Sequence, residues 1–312
     1  MRDAGHSGIS WANTVLSAIF LILSLFLIFF IPGLSGKETG EGWTGRRIMD
    51  EVFKGHELFP YVYEEQTMIL TDSAGNQDVR KVRRFSRVEK DGTIKYLLVF
   101  DSPAEVRGVA LRVIRQYNGP VESWIYLPAF GKELISSDCK SRDSHFLGTD
   151  FAMEDLTEIL SDFRYVRIPD QTIEKVAYFV VEAFPQDEKI EQSTGYSIRR
   201  HFIRQDNFFI VRTDYFDRRG RFSKRLTQHD LKNINGNIWT ANMILMENRK
   251  QKHKTLIKID RRVFSRDYVP PKMFTSSWLQ DNRHIRASRL FREALESSLE
   301  NQGDGTNNNI GN

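Results

Sequence analysis

The segment Val79–Phe100 reads VRKVRRFSRVEKDGTIKYLLVF, and it determines the fold expected of the rest of the chain. Two strand-length runs, Val79–Val88 and Ile94–Phe100, flank the dipeptide Asp91-Gly92. Asp-Gly between two such runs is a strong hairpin signal, because both residues tolerate the left-handed backbone of a tight turn. The segment therefore predicts two adjacent antiparallel strands.

The same alternation of strand-length runs and short turns continues on both sides of this hairpin. The other runs are 61–70, 109–116, 121–127, 164–168, 173–184, 197–204, 208–216, 221–234, 238–247 and 255–262. Short turns such as Asn235-Gly236 join antiparallel neighbours, because parallel strands need long crossovers. We expect about ten strands, more than an open twisted sheet usually carries without curling. The sequence thus predicts a curved antiparallel sheet that forms an unclosed β-barrel.

Helices are expected to cover this sheet. Residues 43–57 carry an apolar stripe at helical spacing, and Thr44 is placed to be the N-cap. Residues 145–160 interrupt the strands, and Asp150 is placed to cap a short helix there. The predicted fold class is therefore mainly β with covering helices (α+β), and the helices plug the open side of the barrel.

The N-terminal residues 1–36 contain an apolar run from 15 to 31, which only Ser17 and Ser24 interrupt. Two alternatives remain for this segment. It is either a signal peptide, cleaved after Ser35, or a retained N-terminal membrane anchor. Both alternatives export the remainder of the chain, so we expect a periplasmic protein, tethered to the inner membrane through 15–31 in the second case.

The C-terminal residues 281–312 differ in character from the strand region. Apolar residues recur at helical spacing between His284 and Leu299, which predicts an amphipathic helix. Residues 301–312 are rich in Asn and Gly, and we expect them to be disordered.

Composition excludes several classes of function. With 45 basic and 41 acidic residues, the net charge of +4 does not indicate a nucleic-acid-binding protein. Cys139 is the one cysteine, so it forms no internal disulfide. The seven histidines show no metal-ligand spacing, and the sequence contains no nucleophile elbow or glycine-rich phosphate loop. We therefore expect no enzyme activity, no metal and no cofactor.

Three sequence motifs resemble a known family. They are Phe146-Leu-Gly-Thr-Asp-Phe-Ala-Met-Glu-Asp-Leu156, Tyr126-Leu-Pro-Ala-Phe130 and Phe274-Thr-Ser-Ser-Trp-Leu279. Together with Trp239 in a late strand and the order of the predicted elements, they resemble the outer-membrane lipoprotein-sorting protein family. The fold of that family is similar to the fold of the periplasmic lipoprotein carrier. The resemblance covers residues 43–280, which it identifies as a lipoprotein-carrier-like domain.

The resemblance implies an apolar cavity that accepts the acyl chain of a lipid or of an acylated lipoprotein. Burial of such a chain is worth roughly 0.8 kcal/mol per CH₂. The residues expected to line the cavity are aromatic or aliphatic: Trp124, Tyr126, Phe130, Phe146, Phe151, Leu156, Phe179 and Trp239. The alternative for each of them is that it fills an ordinary core.

The expected function is that of a periplasmic carrier in outer-membrane lipoprotein sorting. An inner-membrane transporter is a candidate partner, and a membrane surface is another, because basic residues cluster at Arg80–Arg87 and Arg199–Arg225. The alternative to a partner surface is that these basic side chains are simply solvated. The alternative function is a membrane-anchored, non-enzymatic accessory subunit of an envelope lipid-export system.

Overall fold

The computed structural model describes residues 42–57, 59–116, 121–135, 146–152, 155, 160–236 and 238–285. Three features predicted from the sequence lie outside the described residues. They are the apolar run at 15–31, Leu156 and, apart from His284 and Ile285, the helix predicted between His284 and Leu299. From Thr44 onward, the described residues belong to one compact unit.

The described residues contain one antiparallel sheet of thirteen strands. The strands are β1 Tyr61–Thr71, β2 Gln77–Val88, β3 Ile94–Ser102, β4 Ala110–Arg115, β5 Val121–Leu127, β6 Lys132–Ile135, β7 Phe163–Ile173, β8 Val176–Pro185, β9 Tyr196–Arg204, β10 Ile210–Asp217, β11 Phe222–Asn235, β12 Ile238–Asn248 and β13 His253–Val263. The sheet is curved and does not close into a barrel, which confirms the predicted fold class. The short strand β6 was not predicted.

The strand order is β6-β5-β4-β3-β2-β1-β13-β12-β11-β10-β9-β8-β7. Two meanders, β1–β6 and β7–β13, thus meet where β1 pairs with β13, a junction that we call the seam. Strands β6 and β7 lie at opposite edges of the sheet. The connection between them therefore runs from one edge of the curved sheet to the other.

Three helices and four 3₁₀ turns accompany the sheet in the described residues. The helices are α1 Gly45–Glu57, α2 Glu188–Thr194 and α3 Ser276–Gln280, and the 3₁₀ turns are Phe146–Gly148, Leu160–Asp162, Arg266–Tyr268 and Pro271–Phe274. No helix among the described residues is both long enough and apolar enough to cross a membrane.

Helix α1 begins where the sequence predicts, because the Thr44 hydroxyl accepts a hydrogen bond from the backbone N–H of Arg47 at 3.2 Å. The helix packs against β7 and β8. At its first residue, a Cβ on Gly45 would lie 2.8 Å from the backbone nitrogen of Arg167, so only glycine allows this approach. Helix α2 was not predicted, although Asp187 caps it and Gly195 ends it.

Strand alternation separates the two faces of the sheet, and both faces carry apolar clusters. On β3, Leu98 and Phe100 contact one cluster, while Leu97 and Val99 contact the other. The first cluster lies on what we call the inner face, and its buried members are Met68, Leu70, Val82, Leu98, Phe100, Val109, Leu111, Val113, Phe151, Tyr196, Tyr215, Met246 and Ile257. The second lies on the outer face of β1–β5.

The segment 264–285 covers the outer cluster. It contributes Val269, Met273, Phe274 and Leu279 to that cluster. Arginines on the outer face hold its backbone, because Arg87, Arg112 and Arg83 donate to the carbonyl oxygens of Val269, Phe274 and His284 at 3.2, 3.4 and 2.9 Å. The segment is therefore part of the folded domain.

Candidate functional site

Residues 147–152, which we call the plug segment, lie against the inner face. Leu147 and Phe151 pack into the inner cluster, although the segment itself is largely irregular. Leu147 and Gly148 have positive φ angles of 46° and 79°. The plug segment belongs to the connection between the two sheet edges, which explains why it reaches the inner face.

Asp150 fixes the plug segment to the second meander. Its backbone N–H donates to the hydroxyl oxygen of Thr255 at 3.0 Å, and that hydroxyl donates to Asp150 Oδ2 at 2.8 Å. His253 Nδ1 lies 2.7 Å from the same carboxylate oxygen. Lys224 Nζ donates to the Asp150 carbonyl oxygen at 2.9 Å. The interpretation of Asp150 as a helix N-cap is therefore wrong, because its side chain binds the sheet.

Arg80 fixes the plug segment to the first meander. Its Nη1 donates to the carbonyl oxygen of Leu147 at 2.6 Å, while its Nε and Nη2 bind Asp78. The plug segment is thus held by polar bonds on both sides of the seam, and the side chains of Leu147 and Phe151 pack into the inner cluster.

An ionic network limits the apolar region on the inner face. Glu64 is 2% exposed and lies between Arg84 and Arg262, at 2.9 and 2.6 Å. Gln66 donates to the same carboxylate at 2.6 Å. Burial raises the pKa of Glu64, but the two arginines outweigh it and lower the pKa to about 2. The network is therefore ionised at neutral pH and is unsuited to an acyl chain.

Arg199, on the inner face of β9, is another buried cation. It is 1% exposed, and its guanidinium lies 4.8 to 5.7 Å from the ring centroids of Phe163, Tyr196 and Tyr215. Aromatic faces stabilise a desolvated guanidinium through their quadrupoles. Arg199 therefore belongs to the interior. Its place in a basic run of the sequence was also compatible with a solvated side chain, which the structure does not show.

Two of the eight residues predicted to line the cavity are described on the inner face. Phe151 belongs to the inner cluster. Phe179, on β8, is 6% exposed and stacks on Phe208 with centroids 5.9 Å apart. Register places Phe179 on the same face as Arg199, but it is not a member of the cluster that contains Phe151.

Trp124 and Tyr126 lie on the outer face, because Ile125 between them faces the inner cluster. Trp124 stacks on Arg112, whose guanidinium carbon is 3.8 Å from the ring centroid. Tyr126 belongs to the outer cluster, and its hydroxyl donates to Asn282 Oδ1 at 2.9 Å. Neither side chain is thus placed to line the inner face.

Phe130 and Trp239 are not members of the inner cluster either. Phe130 is 71% exposed on the turn between β5 and β6. Thr240 and Asn242 bind Arg262 of the inner ionic network, so their side chains face inward. Trp239 directly precedes Thr240 on the same strand, so its side chain points to the outer face. The side chain of Phe146, like Leu156, lies outside the described residues. A ligand-binding role for the inner-face residues stays a prediction.

The sequence reasoning missed most of the inner cluster, including Met68, Phe100 and Met246. The available signal was the alternation of side chains within each predicted strand. Alternate residues of a strand face the same side of the sheet, so each strand contributes every second residue to the inner cluster.

A cleft of about 560 Å³ lies elsewhere, at the end of the β2–β3 hairpin. Its lining is mostly polar, with Asp91, Thr93, Lys95, Ile114 and Gln116. Among the described residues, no group of His, Cys, Asp and Glu could hold a metal ion.

Residues 92–281 match the model of a protein family described as "uncharacterized protein". The chain belongs to this family. No curated protein matches the chain.

Several solved structures share its fold, with strands and helices aligned over most of both chains. A domain from Vibrio parahaemolyticus assigned to outer-membrane lipoprotein sorting is 24% identical, with a TM-score of 0.70, and covers 76% of this chain and 98% of its own. A DUF1329 family protein from Desulfovibrio piger is 23% identical, with a TM-score of 0.68 and coverage of 76% and 99%.

A LolA superfamily protein from Nitrosomonas europaea is more distant, at 16% identity and a TM-score of 0.59, with coverage of 75% and 99%. These matches confirm the predicted resemblance at the level of the fold. This family member has the fold of outer-membrane lipoprotein-sorting and LolA superfamily proteins.

Proposed function

We propose that this protein is a carrier that binds the acyl chain of a lipid or lipoprotein on the inner face, beneath the plug segment. The observation that carries the proposal is the way in which Leu147 and Phe151 fill the inner cluster. They come from an irregular segment held by polar bonds. An acyl chain has the same chemistry as these two side chains and can replace them.

The energetics of this exchange allow both binding and release. Full burial of a Leu or Phe side chain is worth about 1.5–3 kcal/mol, so displacement of both costs several kcal/mol. A chain of about fourteen methylenes gains roughly 0.8 kcal/mol for each one that it buries. The free energy of binding is therefore favourable, but the displacement of the two side chains partly offsets it. A membrane or a second protein can thus recover the cargo.

We place this carrier in the periplasm, with an acylated lipoprotein or lipid as cargo and an inner-membrane transporter as the source. The shared fold with a domain assigned to lipoprotein sorting supports this placement. The proposed site needs no catalytic group, so we propose no enzyme activity.

A pair of neighbouring tryptophan substitutions tests the site. Ile244 packs against the inner cluster, whereas Leu245 on the same strand faces outward. Ile244→Trp should occupy the volume that an acyl chain would take in the inner cluster, and Leu245→Trp is the matched control. Residues 37–312, which retain the compact unit, would be purified without detergent and analysed by native mass spectrometry and by uptake of a fluorescent fatty acid.

We expect the wild type and Leu245→Trp to carry or take up about one acyl chain each, and Ile244→Trp to lose most of this uptake while keeping its circular dichroism spectrum. If wild type neither co-purifies with lipid nor takes up the fatty acid, the carrier function is wrong. Equal uptake by the two variants would place the acyl chain elsewhere.

A further inference from the structure

The basic run Arg199–Arg225 is divided by the structure into groups with different surroundings. Arg199 is buried among aromatic rings. Arg200 binds Glu182, at 2.6 Å, on the outer face of the sheet. Arg212 and Arg225 both bind Asp214 there. Arg204, at the end of β9, binds Asp206. Arg218, Arg219 and Arg221 lie on the turn between β10 and β11.

A second basic turn lies next to this one. Residues 249–252 join β12 to β13, and the backbone N–H of Arg249 donates to the carbonyl oxygen of Ser223 at 3.0 Å. The guanidinium of Arg249 also lies 5.1 Å from the ring centroid of Phe222. The two turns therefore form one surface, which we call the basic rim. It comprises Arg218, Arg219, Arg221, Arg249, Lys250, Lys252 and Lys254.

The basic rim carries a local excess of positive charge. Three carboxylates pair with three of its cations: Asp217 with Arg221, Glu191 with Arg218 and Glu247 with Lys254. The other four cations form no ion pair with any described residue, and all four are exposed. They are Arg219, Arg249, Lys250 and Lys252. Such a cluster attracts an extended anionic surface more strongly than scattered charges do.

The basic rim adjoins the plug segment. Lys224 and His253, which hold Asp150, are the third residue of β11 and the first residue of β13, directly after the two turns. By strand register, the β5–β6 turn that carries the exposed Phe130 lies at this same end of the sheet. The end of the molecule that carries the plug segment thus combines unpaired cations with an exposed aromatic ring.

We propose that the basic rim docks on the surface of an anionic phospholipid bilayer, with the end of the sheet that carries the plug segment toward the membrane. Phosphate headgroups match the exposed guanidinium and ammonium groups, and an aromatic ring is stable at the level of the headgroups. Surface docking needs no bound cargo, so the proposal goes beyond the carrier function and can fail independently of it.

The test is co-sedimentation of residues 37–312 with vesicles of phosphatidylcholine, with and without phosphatidylglycerol. The triple variant Arg219→Glu, Lys250→Glu and Lys252→Glu removes the rim charge. The matched control reverses Lys90, Lys175 and Lys232, which are exposed near the opposite end of the sheet and change the net charge equally. In a further variant, Phe130→Ser removes the exposed ring.

Wild type should bind only the vesicles that contain phosphatidylglycerol, and high salt should release it. The rim variant should lose roughly a hundredfold in affinity, because each basic residue near an anionic surface contributes measurably. The control should stay within a few-fold of wild type, and Phe130→Ser should lose several-fold.

Two results would overturn the proposal. Equal losses in the rim variant and the control would mean that binding follows net charge and not the basic rim. Absence of wild-type binding to phosphatidylglycerol would exclude membrane docking and leave the rim to an acidic protein partner. Because fatty-acid uptake is measured separately with Ile244→Trp, failure of docking and failure of the carrier function are distinguishable.

Discussion

At the scale of single residues, Glu64 shows how a buried charge is kept in this sheet. It lies on β1 at the seam and binds one arginine from each meander, Arg84 of β2 and Arg262 of β13. Loss of one partner from a buried ionic network leaves the remaining charges uncompensated. Glu64 is therefore expected to be one of the most sensitive polar positions in the protein.

The first prediction is that Glu64→Gln lowers the free energy of unfolding by about 3 kcal/mol at neutral pH, because Arg84 and Arg262 lose their carboxylate. Urea unfolding followed by circular dichroism measures the change. Glu105→Gln, at an exposed position, is the control and should change little.

The same substitution has a pH signature. The pKa of Glu64 is about 2 in the folded protein and 4.5 in a free side chain. The carboxylate therefore contributes stability above pH 4.5, and this contribution is lost as the pH falls toward 2. The difference in free energy of unfolding between wild type and Glu64→Gln should therefore decrease as the pH falls from 4.5 toward 2. A difference that stays constant would show that the charge of Glu64 is not the cause.

Single residues also show where sequence reasoning reached its limit. Aromatic content marked Trp124 and Tyr126 as candidate cavity residues, and alternation correctly made β5 a strand. Both faces of this strand are covered, one by the inner cluster and the other by residues 264–285. The sequence of a strand that is covered on both faces does not tell which face is which.

At the scale of elements, the plug segment is held to the sheet by polar contacts at Leu147 and Asp150. Thr255 supplies two of them through one hydroxyl, as acceptor from the Asp150 backbone and as donor to its carboxylate. A segment held in this way opens more readily than the strands beneath it. Thr255 is therefore the position at which the plug segment can be loosened selectively.

The second prediction is that Thr255→Val, which keeps the side-chain shape, increases amide hydrogen exchange in residues 147–152 roughly tenfold, because loss of the two bonds costs about 1–2 kcal/mol. Mass spectrometry of peptic fragments measures this exchange. Thr213→Val is the control, since Thr213 is also buried on the inner face but binds His201. If both variants accelerate exchange in the plug segment alike, Thr255 is not its specific attachment.

Elements differ in how far the sequence predicted them. Strand bounds were predicted within a few residues for most strands, because alternation and turn residues are local signals. The role of Asp150 was not predicted, because its partners Thr255 and His253 are more than a hundred residues away in the sequence. Contacts over such sequence separations leave no mark on local spacing. For the same reason the plug segment was recognised only as an interruption of the strands.

At the scale of the whole molecule, the seam joins the first and the last strand of the sheet. Its ladder runs from the pair of Tyr63 and Val263 to the pair of Thr71 and Lys254. Lys81 binds Asp260 and Arg261 binds Glu65, so ion pairs also join the two meanders. Neither meander can bury its inner cluster residues alone, because Met68 and Phe100 share that cluster with Tyr215 and Met246.

The third prediction follows from this shared core: the two meanders should unfold in one cooperative transition. Trp239 reports on the β7–β13 meander, whereas Trp124 and Trp278 report on β1–β6 and its covering segment. Guanidinium unfolding of residues 37–312 would be followed in a Trp43→Phe background, since Trp43 would otherwise contribute to the signal of both variants. Tryptophan fluorescence would be recorded after addition of Trp239→Phe, and separately after addition of Trp124→Phe and Trp278→Phe, with circular dichroism as a probe of the whole sheet.

Coincident transitions by fluorescence and circular dichroism within each variant are expected, because a common inner cluster couples the meanders. Domains larger than about 150 residues often unfold through intermediates, so coincidence is a demanding outcome. Two separate midpoints would mean that the seam is a boundary between units that unfold separately. In that case the inner cluster could open along the seam, and cargo could enter there without displacement of the plug segment.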